Sequence, residues 1–87
     1  MRHGYRKVGR LVARLHAAQD EEGLSVTGLA GRLGVSPSTV YMLYGGWRTP
    51  GPKVLRGMLQ AFPGLAQDVR LFLLEHMMDS EFENPFQ

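Results

Sequence analysis

The sequence predicts an all-α fold of five helices without a β-sheet. Apolar residues recur at helical spacing along the chain, and glycine or Pro-Gly breaks separate the segments that carry them. Two of the segments follow a serine, which can cap the first turn of a helix. The chain has 87 residues, enough for one small domain. We therefore expect a single domain over residues 1–80.

The first helix is predicted from Tyr5 to Asp20 or slightly beyond, with Gly23 as its C-terminal stop. Its apolar residues have the spacing of an amphipathic helix, and they are Tyr5, Val8, Leu11, Val12 and Leu15. The opposite face is basic and carries Arg6, Arg10 and Arg14.

The second and third helices are both short. Ser25 can cap the second helix, which Gly34 ends. Ser36 can cap the third, with Pro37 at the first helical position, where its missing N–H has no effect. Gly45-Gly46 ends the third helix. The tight turn between the two helices has the spacing of a helix-turn-helix motif.

The fourth helix follows the breaker run at residues 50–52 and continues to Phe62, where Pro63-Gly64 stops it. The fifth is predicted from Leu65 to about Met78. Residues 81–87 are expected to form a flexible acidic tail.

The fifth helix is apolar on two sides. One side holds Val69, Phe72, Leu73 and His76, and the other holds Leu71, Leu74 and Met78, with Phe82 beyond. One side can pack on the domain, whereas the second needs another chain. We therefore expect a homodimer with this helix at its two-fold axis and an interface of Leu71, Leu74, Met78 and Phe82. Alternatively, the helix wraps over its own domain and leaves Met78 exposed.

The charge distribution favours a polyanionic partner. Residues 1–19 hold five basic residues, Arg2 among them, and residues 23–67 hold four, with no acid in either stretch. Residues 68–87 hold five acids against Arg70. A basic body with an acidic end is typical of a nucleic-acid binder. The alternative is a solvated mixture of charges that cluster by chance.

Several function classes find no support. The chain has no cysteine, which excludes disulfides and thiolate metal sites. His3, His16 and His76 are scattered and make no metal-binding or catalytic pattern. The basic start lacks the apolar core of a secretory signal, and no apolar run could span a bilayer. We expect a cytoplasmic, non-enzymatic protein without a cofactor, metal or small-molecule ligand, associated with the nucleoid of a bacterial host.

A longer pattern runs through residues 24–65. It consists of Leu24-Ser25, Leu29-Ala30, Leu33-Gly34-Val35-Ser36, Ser38-Thr39-Val40, Leu43, Gly46, Arg48, Pro50, Leu55 and Ala61-Phe62. The pattern resembles the phage-repressor (XRE, Cro/repressor-type) helix-turn-helix family. The resemblance implies a five-helix lambda-repressor-like domain with the motif at helices 2 and 3. It also implies a transcriptional repressor that binds double-stranded DNA at a palindromic operator as a dimer.

The resemblance places the third helix in the major groove of DNA. The residues it implies as base contacts are Pro37, Ser38, Thr39, Tyr41 and Met42. The basic and hydroxyl residues expected to contact phosphates are Arg6, Lys7, Arg10, Arg14, Thr27, Tyr44, Arg48 and Lys53. Trp47 is expected to pack over the loop rather than enter DNA.

The third helix departs from the family pattern because it has no Arg, Lys, Gln or Asn. It therefore lacks the side chains that make bidentate contacts to bases. DNA shape could then provide specificity. Alternatively, Tyr41, Met42 and Tyr44 form a protein-binding surface, as in an antitoxin or anti-repressor.

Overall fold

The computed structural model describes the backbone of residues 9–83 and the side chains of residues 9–76. Five α-helices and one short 3-10 turn make up this part of the chain, which contains no strand, and the predicted all-α class is confirmed. In chain order they are α1 (Arg10–Glu22), α2 (Val26–Leu33), α3 (Pro37–Tyr44), α4 (Pro52–Ala61), the turn Pro63–Leu65 and α5 (Ala66–Glu83).

The helix-turn-helix forms as the local sequence predicts. The Ser25 hydroxyl accepts the Gly28 N–H at 3.0 Å, and the Ser36 hydroxyl accepts the Thr39 N–H at 3.3 Å. Between these caps Gly34 adopts φ +76°, a conformation that residues with a Cβ rarely tolerate. The Val35 N–H then donates to the Ala30 carbonyl at 3.0 Å and closes the end of α2.

The two ends of the chain differ from the predicted helix limits. The structure starts α1 at Arg10, and Tyr5 and Val8 lie outside the described residues. At the other end α5 continues to Glu83 rather than stopping at about Met78. Residues 79–83 contain no glycine or proline, and the first strong helix breaker is Pro85, which disfavours helix at the residue before it. Residues 81–83 are therefore helical, and the flexibility expected of residues 81–87 stays a prediction.

The core lies where α1, α2, α3 and α4 meet. The largest side chains that are fully buried there are Leu15, Leu29, Leu43, Met58 and Val40. Ala30 is small and buried, which lets α2 and α3 cross closely. Gly57 has the same role between α4 and α2, because a Cβ on it would lie 3.0 Å from the Leu33 carbonyl carbon and still closer to its oxygen.

The fifth helix packs on this core through one side only. Val69 is buried and Phe72 is partly buried against the core. Leu73, predicted on the packed side, is 44% exposed, because the next residue of a helix lies about 100° further around it than Phe72. Leu71 and Leu74 are also exposed. The side chains of Met78 and Phe82 lie outside the described residues.

Candidate nucleic-acid interface

The solvent side of α3 brings together four of the five residues predicted to contact bases. Val40 and Leu43 anchor the helix in the core, so Pro37, Ser38, Tyr41 and Met42 project together into solvent. We call these four residues the outer face of α3. Tyr41 is 63% exposed and Met42 is 44% exposed. This face is mostly apolar, with hydroxyl groups as its only polar side-chain groups.

Thr39, the fifth predicted residue, lies at the edge of the outer face and is half-buried. Its hydroxyl is 3.2 Å from the Ser36 hydroxyl, which also caps the helix. The Thr39 hydroxyl is thus already engaged within the protein.

A groove separates the N-terminal ends of α3 and α4. Its walls include Ser36 and Thr39 on one side and Arg48 and Lys53 on the other. The first turn of α4 has no acidic residue. Its N-cap is Gly51, so no side chain caps the free N–H groups of this turn. The positive end of the α4 dipole therefore adds to the two cations. We call this feature the α3–α4 groove, and its charge suits an anionic group such as phosphate.

Arg10 and Thr27 are both exposed. Arg10 lines a second groove together with Arg48, between the start of α1, the loop after α3 and α5. Thr27 lies in the first turn of α2. Arg6 and Lys7 lie outside the described residues. Arg10 is thus the residue of the predicted basic helix face that the structure brings near Arg48.

Arg14 is directed elsewhere. Its Nε lies 3.4 Å from the Asp68 carboxylate of α5, and its side chain lines a groove at the junction of α4 and α5. The side of α1 that meets α3 is a different one and carries His16 and Gln19. The predicted phosphate contact of Arg14 therefore gains no support, because a helix presents each residue to one side only.

Tyr44 also points inward rather than toward solvent. Its hydroxyl donates to the Gln19 Oε1 at 2.6 Å, and the Gln19 Nε2 donates to the Leu24 carbonyl at 3.0 Å. The Tyr44 ring meets His16 edge-on, with centroids 4.9 Å apart. A phosphate oxygen needs a donor, and the hydroxyl proton is already used by Gln19. Tyr44 therefore ties the end of α3 to α1, and its predicted phosphate contact gains no support.

Sequence reasoning overlooked Gln19. It is a buried polar residue, with 8% of its surface exposed. Its position four residues after Leu15 places it on the buried stripe of α1, where an amide needs internal partners. A polar residue at an apolar stripe position was the signal that could have identified it.

Replacing Tyr44 with phenylalanine is expected to lower the free energy of unfolding by about 1–3 kcal/mol. The variant keeps the ring but leaves the buried Gln19 oxygen without its donor. Urea denaturation followed by circular dichroism would measure the change. Tyr41→Phe is the matched control on the same helix, since it removes an exposed hydroxyl and should change stability by less than about 0.5 kcal/mol. Equal effects of the two variants would contradict the assigned contact.

Tyr44 should also make stability depend on pH in the alkaline range. Burial, together with the negative charge of Asp20, raises the pKa of Tyr44 from 10.0 to about 12. The folded state then holds this proton more tightly than the unfolded state does, so the contribution is complete below pH 10 and is lost as the pH rises toward 12. Unfolding free energies measured from pH 9 to 12 should fall more steeply for the wild type than for Tyr44→Phe. Parallel curves for the two proteins would refute this role.

Trp47 follows the outer face of α3 and is 70% exposed. Its backbone N–H donates to the Met42 carbonyl at 2.9 Å, and its ring lies over Gly45, where an added Cβ would come within 2.6 Å of the ring Cδ1. The indole therefore covers the backbone at the end of α3, in line with its predicted packing over the loop, while most of its surface faces solvent.

Metal-binding and membrane-spanning features are absent from the part of the chain that the structure describes. No group of three or more His, Asp or Glu residues there could hold a metal ion. No helix there is long and apolar enough to cross a membrane.

Comparison with known proteins gives one result. The family model of the helix-turn-helix domain matches residues 10–71, well over half of the chain. No curated protein and no solved structure gave a significant match. The matched span begins with α1 and ends in the first half of α5, so it contains both helices of the motif and the α3–α4 groove. The chain therefore belongs to the helix-turn-helix domain family, which indicates DNA binding and a role in transcription regulation.

Proposed function

We propose that this protein is a sequence-specific transcriptional repressor of the phage-repressor type, which binds a palindromic DNA operator as a homodimer. The observation that carries the proposal is the exposed outer face of α3 beside the cationic α3–α4 groove. Both lie within residues 23–67, which contain four basic residues and no acid. Such a regulator works in the cytoplasm, on the nucleoid of a bacterial host.

In this proposal α3 lies in the major groove and its outer face meets the base edges. Arg48 and Lys53 bind phosphates on one flank of the helix. Arg10 and Thr27 add phosphate contacts, together with Arg6 and Lys7 from the N-terminal segment. Thr39 contributes through its methyl group. Arg14 and Tyr44 are left out of the DNA contacts because they are engaged with Asp68 and Gln19.

The homodimer rests on α5. Leu74 is 49% exposed on the side of α5 away from the core, and Leu71 is 37% exposed at the flank of the helix, where it also lines the groove that contains Arg10 and Arg48. Met78 and Phe82 continue the predicted interface along the same helix. A two-fold axis through this surface would pair it with itself and hold two copies of α3 about 34 Å apart, one turn of DNA.

Replacing Leu71 and Leu74 together with glutamate is expected to convert the dimer into a monomer. The two side chains are exposed within one chain, so the fold should survive, while the buried charges would block association. Sedimentation equilibrium would measure the mass. Leu59→Glu is the control, because Leu59 is 40% exposed on α4, outside the proposed interface. A wild-type protein that sediments as a monomer at tens of micromolar would refute the dimer.

A protein-interaction module, such as an antitoxin or an anti-repressor, is a second candidate. The specific observation in its favour is the exposed apolar pair Tyr41 and Met42. An apolar surface of this kind often marks a protein contact. The cations beside the same surface favour DNA over this alternative.

Selection from a random DNA library would test the two candidates. The full chain is mixed with random duplexes at about 50 mM salt, where phosphate contacts are strongest, and the bound molecules are sequenced. An enriched inverted repeat, with affinity that falls steeply as salt rises, is the expected result. Recovery of DNA without enrichment would contradict sequence specificity. No recovery at low salt would favour the protein-interaction module.

A further inference from the structure

The side chains on the outer face of α3 limit which groups of DNA this face can recognise. Its two large side chains, Tyr41 and Met42, are exposed and lie next to each other along the chain. Pro37 and Ser38 lie one turn earlier, four residues before them, so the four residues form one continuous surface. The hydroxyls of Ser38 and Tyr41 are its only hydrogen-bonding side-chain groups. The face is therefore a largely apolar strip along the helix.

This surface cannot make the usual polar contacts to bases. Guanine and adenine are recognised through paired hydrogen bonds from Arg, Lys, Asn or Gln, and α3 contains none of them. The Ser36 and Thr39 hydroxyls are bonded to each other. The apolar feature of the major groove is the C5 methyl group of thymine, which suits Met42 and the Tyr41 ring.

The residues around the outer face of α3 indicate which kind of molecule binds it. The α3–α4 groove beside it carries Arg48 and Lys53, and residues 23–67 contain no acid. An apolar surface whose charged neighbours in this stretch are all cations suits a polyanion that displays apolar groups. Double-stranded DNA with thymines in its major groove has that combination.

We infer that Tyr41 and Met42 are the specificity-determining residues, and that they recognise the C5 methyl groups of thymines in each half of the operator. This inference rests on the proposed DNA-binding function and specifies how that function discriminates between bases. The contact is apolar, so it adds to the phosphate contacts without changing their number.

Uracil-containing DNA provides the test. The pool of duplexes that the full chain selects from a random library is amplified in parallel with thymidine or deoxyuridine triphosphate. The two pools have the same sequences and pairing, but the second lacks the C5 methyl groups. Affinity should fall roughly fourfold for each contacted methyl group. This factor corresponds to the free energy of about 0.8 kcal/mol that is gained when one such apolar group is buried. The dependence of affinity on salt should be the same for both pools.

Variants assign the effect to the two side chains. Met42→Ala and Tyr41→Ala should each reduce the difference between the thymine and uracil pools. Leu59→Ala is the matched control, because Leu59 is 40% exposed against 44% for Met42 and lies on α4. This control should keep the full difference. Thermal denaturation of each variant would verify that it folds.

The possible outcomes separate this inference from the proposed function. Equal affinity of the wild type for both pools would overturn methyl recognition while leaving DNA binding intact. The wild type could instead bind uracil DNA more weakly, with the same difference between the two pools in Met42→Ala and Tyr41→Ala. That result would assign the difference to DNA shape and would also overturn the inference. Failure to select any DNA would overturn the proposed function and this inference together.

Discussion

Reversing both cations of the α3–α4 groove, as Arg48→Glu with Lys53→Glu, is expected to weaken DNA binding on the order of a hundredfold. Each cation that neutralises a phosphate releases a counterion, so its removal lowers affinity and also flattens the salt dependence. Fluorescence anisotropy with the selected duplex pool, repeated at several salt concentrations, would measure both quantities. The slope of log affinity against log salt should become shallower by about 0.9 for each phosphate that the variant no longer neutralises.

Arg70→Glu is the control for this experiment. Arg70 is an exposed cation on α5, outside the α3–α4 groove, and its reversal changes the net charge by as much as either single reversal in the groove. Affinity should then stay within about twofold of the wild type, whereas Arg48→Glu or Lys53→Glu alone should weaken binding roughly tenfold. If all three single variants weakened binding equally, net charge rather than the groove would govern affinity.

Replacing Gly57 with alanine is expected to lower the free energy of unfolding by about 3 kcal/mol. The added Cβ would lie 3.0 Å from the carbonyl carbon and 3.1 Å from the Cα of Leu33, so it would press on the backbone of α2. The helix has little room to yield, because α2 also packs closely on α3. Chemical denaturation would measure the destabilisation, and the melting temperature should fall by roughly 12 °C or more.

Gly31→Ala is the matched control and should have the opposite effect. Gly31 lies within α2 and is exposed, and a Cβ there would meet nothing within 4 Å. Alanine should therefore stabilise the helix by about 0.5–1 kcal/mol. A Gly57→Ala variant as stable as the wild type would show that α2 and α4 do not approach each other as described.

Local chemistry made the helix-turn-helix predictable. Ser25 and Ser36 bond to backbone N–H groups within three residues of themselves, and Gly34 adopts its positive φ at the turn between them. Interactions of this range depend only on neighbouring residues, so the sequence indicates them directly. The buried and exposed sides of α3 follow in the same way from the spacing of Val40 and Leu43.

The sequence did not predict the contacts of the site that join residues far apart along the chain. Arg14 and Tyr44 resemble surface residues in the sequence, yet their partners Asp68 and Gln19 lie 54 and 25 residues away. Leu73 was assigned to the packed side of α5 because periodicity alone does not show how wide the contact of a largely apolar helix is: Val69 and Phe72 meet the core, whereas Leu73 stays exposed.

The sequence by itself determined the five-helix class, the position and caps of the motif, and the residues on the outer face of α3. Each of these depends on contacts within a few residues along the chain. Only the tertiary structure decided which cations lie beside α3, which polar groups are already paired, and which side of α5 stays open. Those properties depend on how whole helices pack, because packing brings together residues whose separation along the chain carries no local signal.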